Sequence, residues 1–278
     1  MGRVSGDDME IVVDFDRDSR AERRLTEELR AGLPGEGADL GESRPYPGLL
    51  GTAIARADGE LLGWAAVFSP GPDPEAAAVQ WQLVSLERER IVSGCVAEPD
   101  GTGDQEAVLA RLFRVAADEA RAAGFRALDW DGTESELDAR VAAELEASVH
   151  QELGRKWGIS ALGRWQRPAG LPTVRTRRAP EGTGWQGLEL LTAAGRTAAR
   201  IAAVVAGPEV YVEKVGHHGV DAPELGSLVA EFVEQVRRDH PSVESIQVRE
   251  VDDELLGRGL KAAKLRISHR WWQYRLPL

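Results

Sequence analysis

Few side chains in this chain are placed to move a proton or attack a carbonyl. Of its five histidines, His150 stands alone. An imidazole can donate or accept a proton near neutral pH, although a lone histidine on a helix is more often simply solvated. His217 and His218 are adjacent, so on a strand they face opposite ways. His240 and His269 have no ligand spacing, and no metal site is expected. Glu87, Glu89 and Glu98 flank an apolar run. One of them could act as a base if burial raised its pKa, although the run Leu86-Glu87-Arg88-Glu89-Arg90 also has the alternation of a solvated segment. Cys95, the only cysteine, would be a nucleophile only beside a histidine in an electropositive setting, and its apolar strand suits a buried filler. No Gly-x-Ser-x-Gly elbow and no Gly-x-x-x-x-Gly-Lys phosphate loop occurs. What remains is Gly101-Thr102-Gly103 ahead of a helical pattern. A helix start offers free N–H groups and partial positive charge, and an anion can rest there if side chains leave the backbone open.

The elements around these residues follow from periodicity. Ser19 and Glu22 have capping-box spacing ahead of a helix over about 20–31, which Gly32 and Pro34 stop. Strands over 50–57 and 60–68 flank Asp58-Gly59, a strong hairpin turn. Further strands are read over 79–86 and 90–97. A helix over 105–123 has its stripe at Leu109, Leu112, Phe113, Ala116 and Ala120, and a strand over 125–130 follows. Thr133 and Glu136 would cap a helix striped by Leu137, Val141, Leu145 and Val149 and stopped near Gly154. Short strands over 157–162 and 164–167 close the half.

Pro168, Gly170 and Pro172 mark a linker, so two domains are expected, 1–168 and 169–278. The second half repeats the order: strands over 188–192, 196–206 and 210–215, a helix over 223–238, a strand over 245–249, a helix starting at 252–256, and one or two strands over 265–276. Its helix stripe at Leu225, Leu228, Val229, Phe232 and Val236 matches the first term by term. Gly163-Arg164-Trp165-Gln166-Arg167 also resembles His269-Arg270-Trp271-Trp272-Gln273-Tyr274-Arg275. An internal duplication accounts for this order. Trp271-Trp272 could line a pocket or pack in a core.

Composition narrows the function. The 278 residues are 42% hydrophobic and 29% charged, with a formal net charge of −12. Binders of nucleic acid need clustered Lys and Arg, so nucleic acid is not an expected partner. Met1 to Asp8 is polar and acidic, without the apolar centre of a leader peptide, and no apolar run is long enough to span a membrane. A cytoplasmic location follows, with no membrane partner. The Ala, Arg, Gly and Glu bias has a bacterial look.

The order of elements resembles the GNAT N-acetyltransferase family. The specific echo is Val96-Ala97-Glu98-Pro99-Asp100-Gly101-Thr102-Gly103-Asp104-Gln105-Glu106-Ala107, then Leu109 through Gly124. It is similar to a strand end of form Val-x-Pro, a loop of pattern Arg/Gln-x-x-Gly-x-Gly/Ala, and a helix. The resemblance covers most of 10–167 and, less well, 186–276. It implies an α/β (α+β) fold of two tandem GNAT-like units, each a mixed, mostly antiparallel twisted sheet flanked by helices. It also implies acetyl-CoA as co-substrate, without a metal, and acyl transfer to the amine of a small molecule or peptide. Val96, Ala97, Thr102, Gly103, Asp104, Gln105 and Ala107 would form the cofactor loop. His150 falls where the family often has the tyrosine that protonates the leaving thiolate, and Glu89 is the candidate base. The pattern also departs from the family. Thr102 stands at the Arg/Gln position, Gln105 replaces a glycine, and Asp104 and Glu106 add negative charge. Each carboxylate about 4 Å from a phosphate costs ~1 to ~4 kcal/mol, depending on local dielectric. Thr102 and Gln105 can instead cap their own helix, as can Asp221 and Glu224 in the second half, with Pro223 in the first turn. In that half Leu255 takes the tyrosine's place. Two readings follow: a transferase with its site in the first unit, or a GNAT scaffold that does not use acetyl-CoA and binds a small molecule or a protein.

Overall fold

A computed structural model describes residues 10–32, 47–69, 73–85, 90–93, 103–133, 136–179 and 185–278. The chain forms two compact units. The first comprises Met1–Glu152 with Trp271–Leu278, and the second comprises Leu153–Arg270. The linear reading placed one boundary between 168 and 169; in the structure the first unit is discontinuous and takes its last strand from the C-terminus.

The first unit begins with β1 (Ile11–Asp16), α1 (Ala21–Gly32), β2 (Leu49–Ala57), β3 (Glu60–Phe68) and β4 (Ala76–Ser85). It continues with β5 (Arg90–Ser93), α2 (Gly103–Ala122), β6 (Ala127–Thr133), α3 (Glu136–Glu144) and the start of β7 (Ser148–Ile159). Its sheet runs β1-β2-β3-β4-β6 and ends on the Trp271–Pro277 part of β13 (Arg266–Pro277). Every pair is antiparallel except β4 with β6. The β2–β3 turn has Asp58 at φ 50° and Gly59 at φ 86°, the positive values a type I′ hairpin requires. The helical stripe read from the sequence is fully buried: Leu109, Leu112, Phe113, Ala116 and Ala120 pack on the inward positions of β2, β3, β4 and β6. On the other sheet face Leu25 of α1 packs with Leu61 and Trp64. The C-terminal segment joins the α2-side core through Tyr274, with Trp272, Leu276 and Leu278 against it. Gly132 permits this. A Cβ there would lie 2.9 Å from the Tyr274 ring and 2.8 Å from the Asp138 carboxyl carbon.

The second unit contains the rest of β7, a 3-10 turn (Leu162–Arg164), β8 (Thr176–Arg178), β9 (Trp185–Leu191), β10 (Thr197–Ala206) and β11 (Glu209–His217). It ends with α4 (Ala222–Asp239), β12 (Ser245–Glu250), α5 (Glu254–Ala262) and the start of β13. Here the order is β7-β12-β11-β10-β9-β8, antiparallel except β11 with β12. The stripe of α4 is buried as read, at Leu225, Leu228, Val229, Phe232 and Val236. Gly226 and Gly259 let α4 and α5 cross closely; a Cβ on Gly259 would sit 2.7 Å from the Leu225 Cβ.

Three readings are corrected. The third helix of the first half ends at Glu144, not near Gly154, and residues 148–159 form a strand. The chain leaves the helix through Glu146 at φ 60°, a left-handed step that breaks the apolar stripe before Val149. Residues 162–164 are a 3-10 turn rather than part of a closing strand. The strand that corresponds to β13 is therefore β7, not the segment Gly163–Arg167.

Candidate functional site

In the first unit β4 and β6 pair in parallel from Ala76/Ala127 to Val79/Trp130 and no further. Beyond that point the edge of β4 is taken by β5, which folds back antiparallel with Gln82 opposite Ser93 and Ser85 opposite Arg90. The divergence is framed by aromatic rings. Trp130 lies 4.8 Å from Phe113 and stacks on Tyr274 at 5.7 Å, centroid to centroid. The indole N–H groups of Trp81 and Trp130 are buried without a hydrogen-bond partner among the described residues, an arrangement that ordinarily costs about 1–3 kcal/mol per group. Helix α2 begins at Gly103. In its first turn the Glu106 carboxylate accepts from Arg140 Nε of α3 at 2.5 Å. Its charge is thus matched by a guanidinium rather than left to oppose a phosphate.

The opposite side of β6 carries an ion-pair cluster. Arg275 grips Asp129 with two bonds, 2.7 Å from Nε and 2.6 Å from an Nη, and reaches Asp73 at 2.9 Å. Asp73 is held below the usual carboxylate range, first by the N–H of Glu75, then by Arg275, with a smaller contribution from His150.

The second unit repeats this frame. Strands β11 and β12 pair in parallel from Glu209/Ser245 to Val212/Val248 and then part. The start of the helix that follows β11 is closed by its own side chains. Asp221 Oδ1 accepts from the N–H of Glu224 at 2.8 Å, Glu224 Oε2 accepts from the N–H of Asp221 at 3.0 Å, and proline stands in the first turn. These groups are then occupied rather than open to a phosphate. From the end of β11, His217 Nε2 meets Asp253 Oδ2 at 2.7 Å. Asp253 also accepts from the N–H of Leu256 at 2.8 Å and so caps α5. Burial pushes its pKa up, but the Leu256 N–H and His217 outweigh that and hold it below the ordinary value. Replacing Asp221 with Ala is expected to lower the stability of the second unit by about 1 kcal/mol, read as a lower urea midpoint at unchanged slope; no change would mean the box contributes nothing.

No protein family and no curated protein matches the chain by sequence. Solved structures do match. A tandem GNAT protein from the clavulanic acid biosynthesis pathway, solved without acetyl-CoA, is 14% identical with a TM-score of 0.51, over 96% of this chain and 98% of its own. The chain has a tandem GNAT-type fold. At that identity the likeness fixes the architecture and no activity. A GCN5-related N-acetyltransferase from Sphaerobacter thermophilus is 13% identical over 95% of both chains, with a TM-score of 0.47. Another from Kribbella flavida is 13% identical over 79% of this chain and 89% of its own, with a TM-score of 0.44.

Within this GNAT-type frame the residues singled out from the sequence separate. Glu89, Val96, Ala97 and Thr102 lie outside the described residues, as does Cys95, so the Thr102–Gln105 box does too. Gly103 and Asp104 open α2, and Gln105, half-buried, and Ala107, exposed, complete its first turn. His150 is not a helix residue: it sits exposed on β7 of the first unit. Leu255 is half-buried on α5. The strand read over 90–97 is present as β5, but sequence reasoning missed its antiparallel place on β4, which no local pattern announces, and the Asp73–Arg275–Asp129 cluster, whose members are 146 and 202 residues apart from Arg275. It also missed the His217–Asp253 contact. Among the described residues no group of three His, Cys, Asp or Glu is arranged as a metal site, and no helix is long and apolar enough to cross a membrane.

Proposed function

We propose that the chain is an acyl-CoA-dependent N-acyltransferase whose first unit carries the site, transferring an acetyl group to the amine of a small molecule or peptide. The observation that carries this reading is the parting of β4 and β6 after Val79/Trp130, on the same sheet whose α2 opens at Gly103. A pantetheine chain would run between such strands, with its pyrophosphate on the helix start. Pairing of Glu106 with Arg140 supports it, because that removes one of the charges set against a phosphate. Gly103, Asp104, Gln105 and Ala107, with Val96, Ala97 and Thr102 before them, would hold the cofactor through backbone groups. His150 would supply the proton to the leaving thiolate, and Glu89 would take one from the amine. Acetyl-CoA, when bound, supplies the activated acyl group. The second unit, with its helix start capped, would be a partner without chemistry.

A second reading, a GNAT-type scaffold that does not use acetyl-CoA, draws on β5, which occupies the edge of β4 along which a cofactor would otherwise pair. Calorimetric titration with acetyl-CoA at low salt separates the two. The transferase reading expects one site per chain with micromolar affinity, about 8 kcal/mol. Gly103→Asp should weaken it at least about tenfold, through a side chain and a charge placed on the phosphate, while Asp221→Ala leaves it unchanged. Absence of binding at millimolar ligand, or binding indifferent to Gly103→Asp, would favour the scaffold.

A further inference from the structure

We propose that the second unit carries an anion site for a small molecule bearing two or more phosphate groups, independent of whether the first unit transfers an acyl group. The site is a cavity of about 600 Å³ between α5 and the strands β7 and β13 of that unit. Five of its ten lining residues are basic, Arg155, Arg258, Lys261, Arg266 and Arg270, and one, Glu254, is acidic. In a chain where 46 acids face 34 Lys and Arg, chance would place carboxylates among these cations. Instead Arg258, Lys261 and Arg266 form no ion pair or side-chain hydrogen bond among the described residues. The other two are partnered: Arg155 pairs with Glu250 Oε2 at 3.7 Å, and Arg270 is also engaged.

The floor is apolar. Leu265 and Trp157 are buried, and the Trp157 indole N–H donates to Glu250 at 3.1 Å. Gly257 of α5 faces this floor: a Cβ there would meet the Trp157 ring at 3.6 Å, an ordinary contact, and Glu250 Oε2 at 3.3 Å. Arg258 and Lys261 are three apart and share one face of α5, while Arg266 and Arg270 come from β13. Cations from a helix and a strand therefore converge on one volume, where their fields add rather than spread along a surface. Planar guanidinium forks suit phosphate oxygens. The volume is that of a small-molecule site. A nucleic-acid strand instead needs a long basic track with exposed aromatic platforms, and the Trp157 ring is covered.

The test is titration of the full chain with sodium tripolyphosphate and with pyrophosphate at low ionic strength. One saturable site per chain is expected. Affinity should fall at least about tenfold in the double variant Arg258→Glu/Lys261→Glu and in Arg266→Glu, and should weaken as added salt screens the charges. Arg196→Glu, on the exposed β9–β10 turn, makes the same change in net charge as Arg266→Glu and should leave binding intact. Unchanged thermal midpoints in the variants establish that they fold. Lack of saturable binding at millimolar tripolyphosphate would overturn the proposal, as would binding that survives the double variant. A single-stranded oligothymidylate bound more tightly than tripolyphosphate would overturn it in favour of a macromolecular ligand.

Discussion

Removing the last eight residues, from Trp271 on, is expected to unfold the N-terminal unit and spare the C-terminal one. The deletion strips β6 of its antiparallel neighbour along its whole length, from Ala127 opposite Pro277 to Thr133 opposite Trp271. It takes Tyr274 from the core, and with it the ring stacked on Trp130 and the hydroxyl that donates to the Thr133 carbonyl at 3.1 Å. Loss of a buried aromatic side chain alone costs about 3–5 kcal/mol, and Asp129 is left buried without its cation, at about 3–5 kcal/mol more. Together these match the whole stability of a typical domain, about 5–15 kcal/mol. The second unit ends at Arg270, so all of its own residues remain. Amide hydrogen exchange distinguishes the two: protection should vanish in α2, β4 and β6 and persist in α4, β11 and β12. Retained protection in α2 and β6 would mean that the C-terminal strand is dispensable to the first unit.

That dependence also marks the limit of what the residues announce locally. Features decided within a few positions were legible. Asp58-Gly59 does make the positive-φ hairpin, Asp221-x-x-Glu224 does make the reciprocal cap, and both helix stripes are buried. The matching order of elements in the two halves pointed to the duplicated architecture. Features decided by distant partners were not legible. The stripe Leu137-Val141-Leu145-Val149 keeps a helical period past the true helix end, because nothing nearby contradicts it. The strand that replaces it from Ser148 is fixed in its second half by β12, about 90 residues on. No pattern in Arg266–Pro277 says which sheet its end joins. At the candidate site the glycines and the helix start were visible. The partner of Glu106 and the pairing of β5 onto β4 came only from the fold, since charge matching and edge pairing depend on what the chain brings back.

Arg275→Met alone should destabilise the first unit by about 3–5 kcal/mol. The fork fills both oxygens of a carboxylate that is only 4% exposed, and Asp129 and Arg275 stand directly opposite in the β6–β13 register. Hydrogen bonding to Asp129, partly offset by burial and joined by Asp73, raises the arginine's already high pKa, so the guanidinium stays charged at any working pH. Methionine keeps much of the side chain's length but leaves the Asp129 charge buried and unanswered, and that desolvation, more than the lost contact, sets the cost. Arg275→Lys should recover only part, because an ammonium cannot form two parallel bonds. Asp129→Leu in the Arg275→Met background should recover most of the loss, since removing both charges removes the desolvation as well. The expected coupling between the two sites is about 2 kcal/mol, measured from the urea dependence of amide exchange in β6. Additive losses would mean that the pair acts through separate contacts. A single-variant loss below about 1 kcal/mol would mean that water or Asp73 already satisfies the carboxylate, and that the cluster positions β13 without stabilising it.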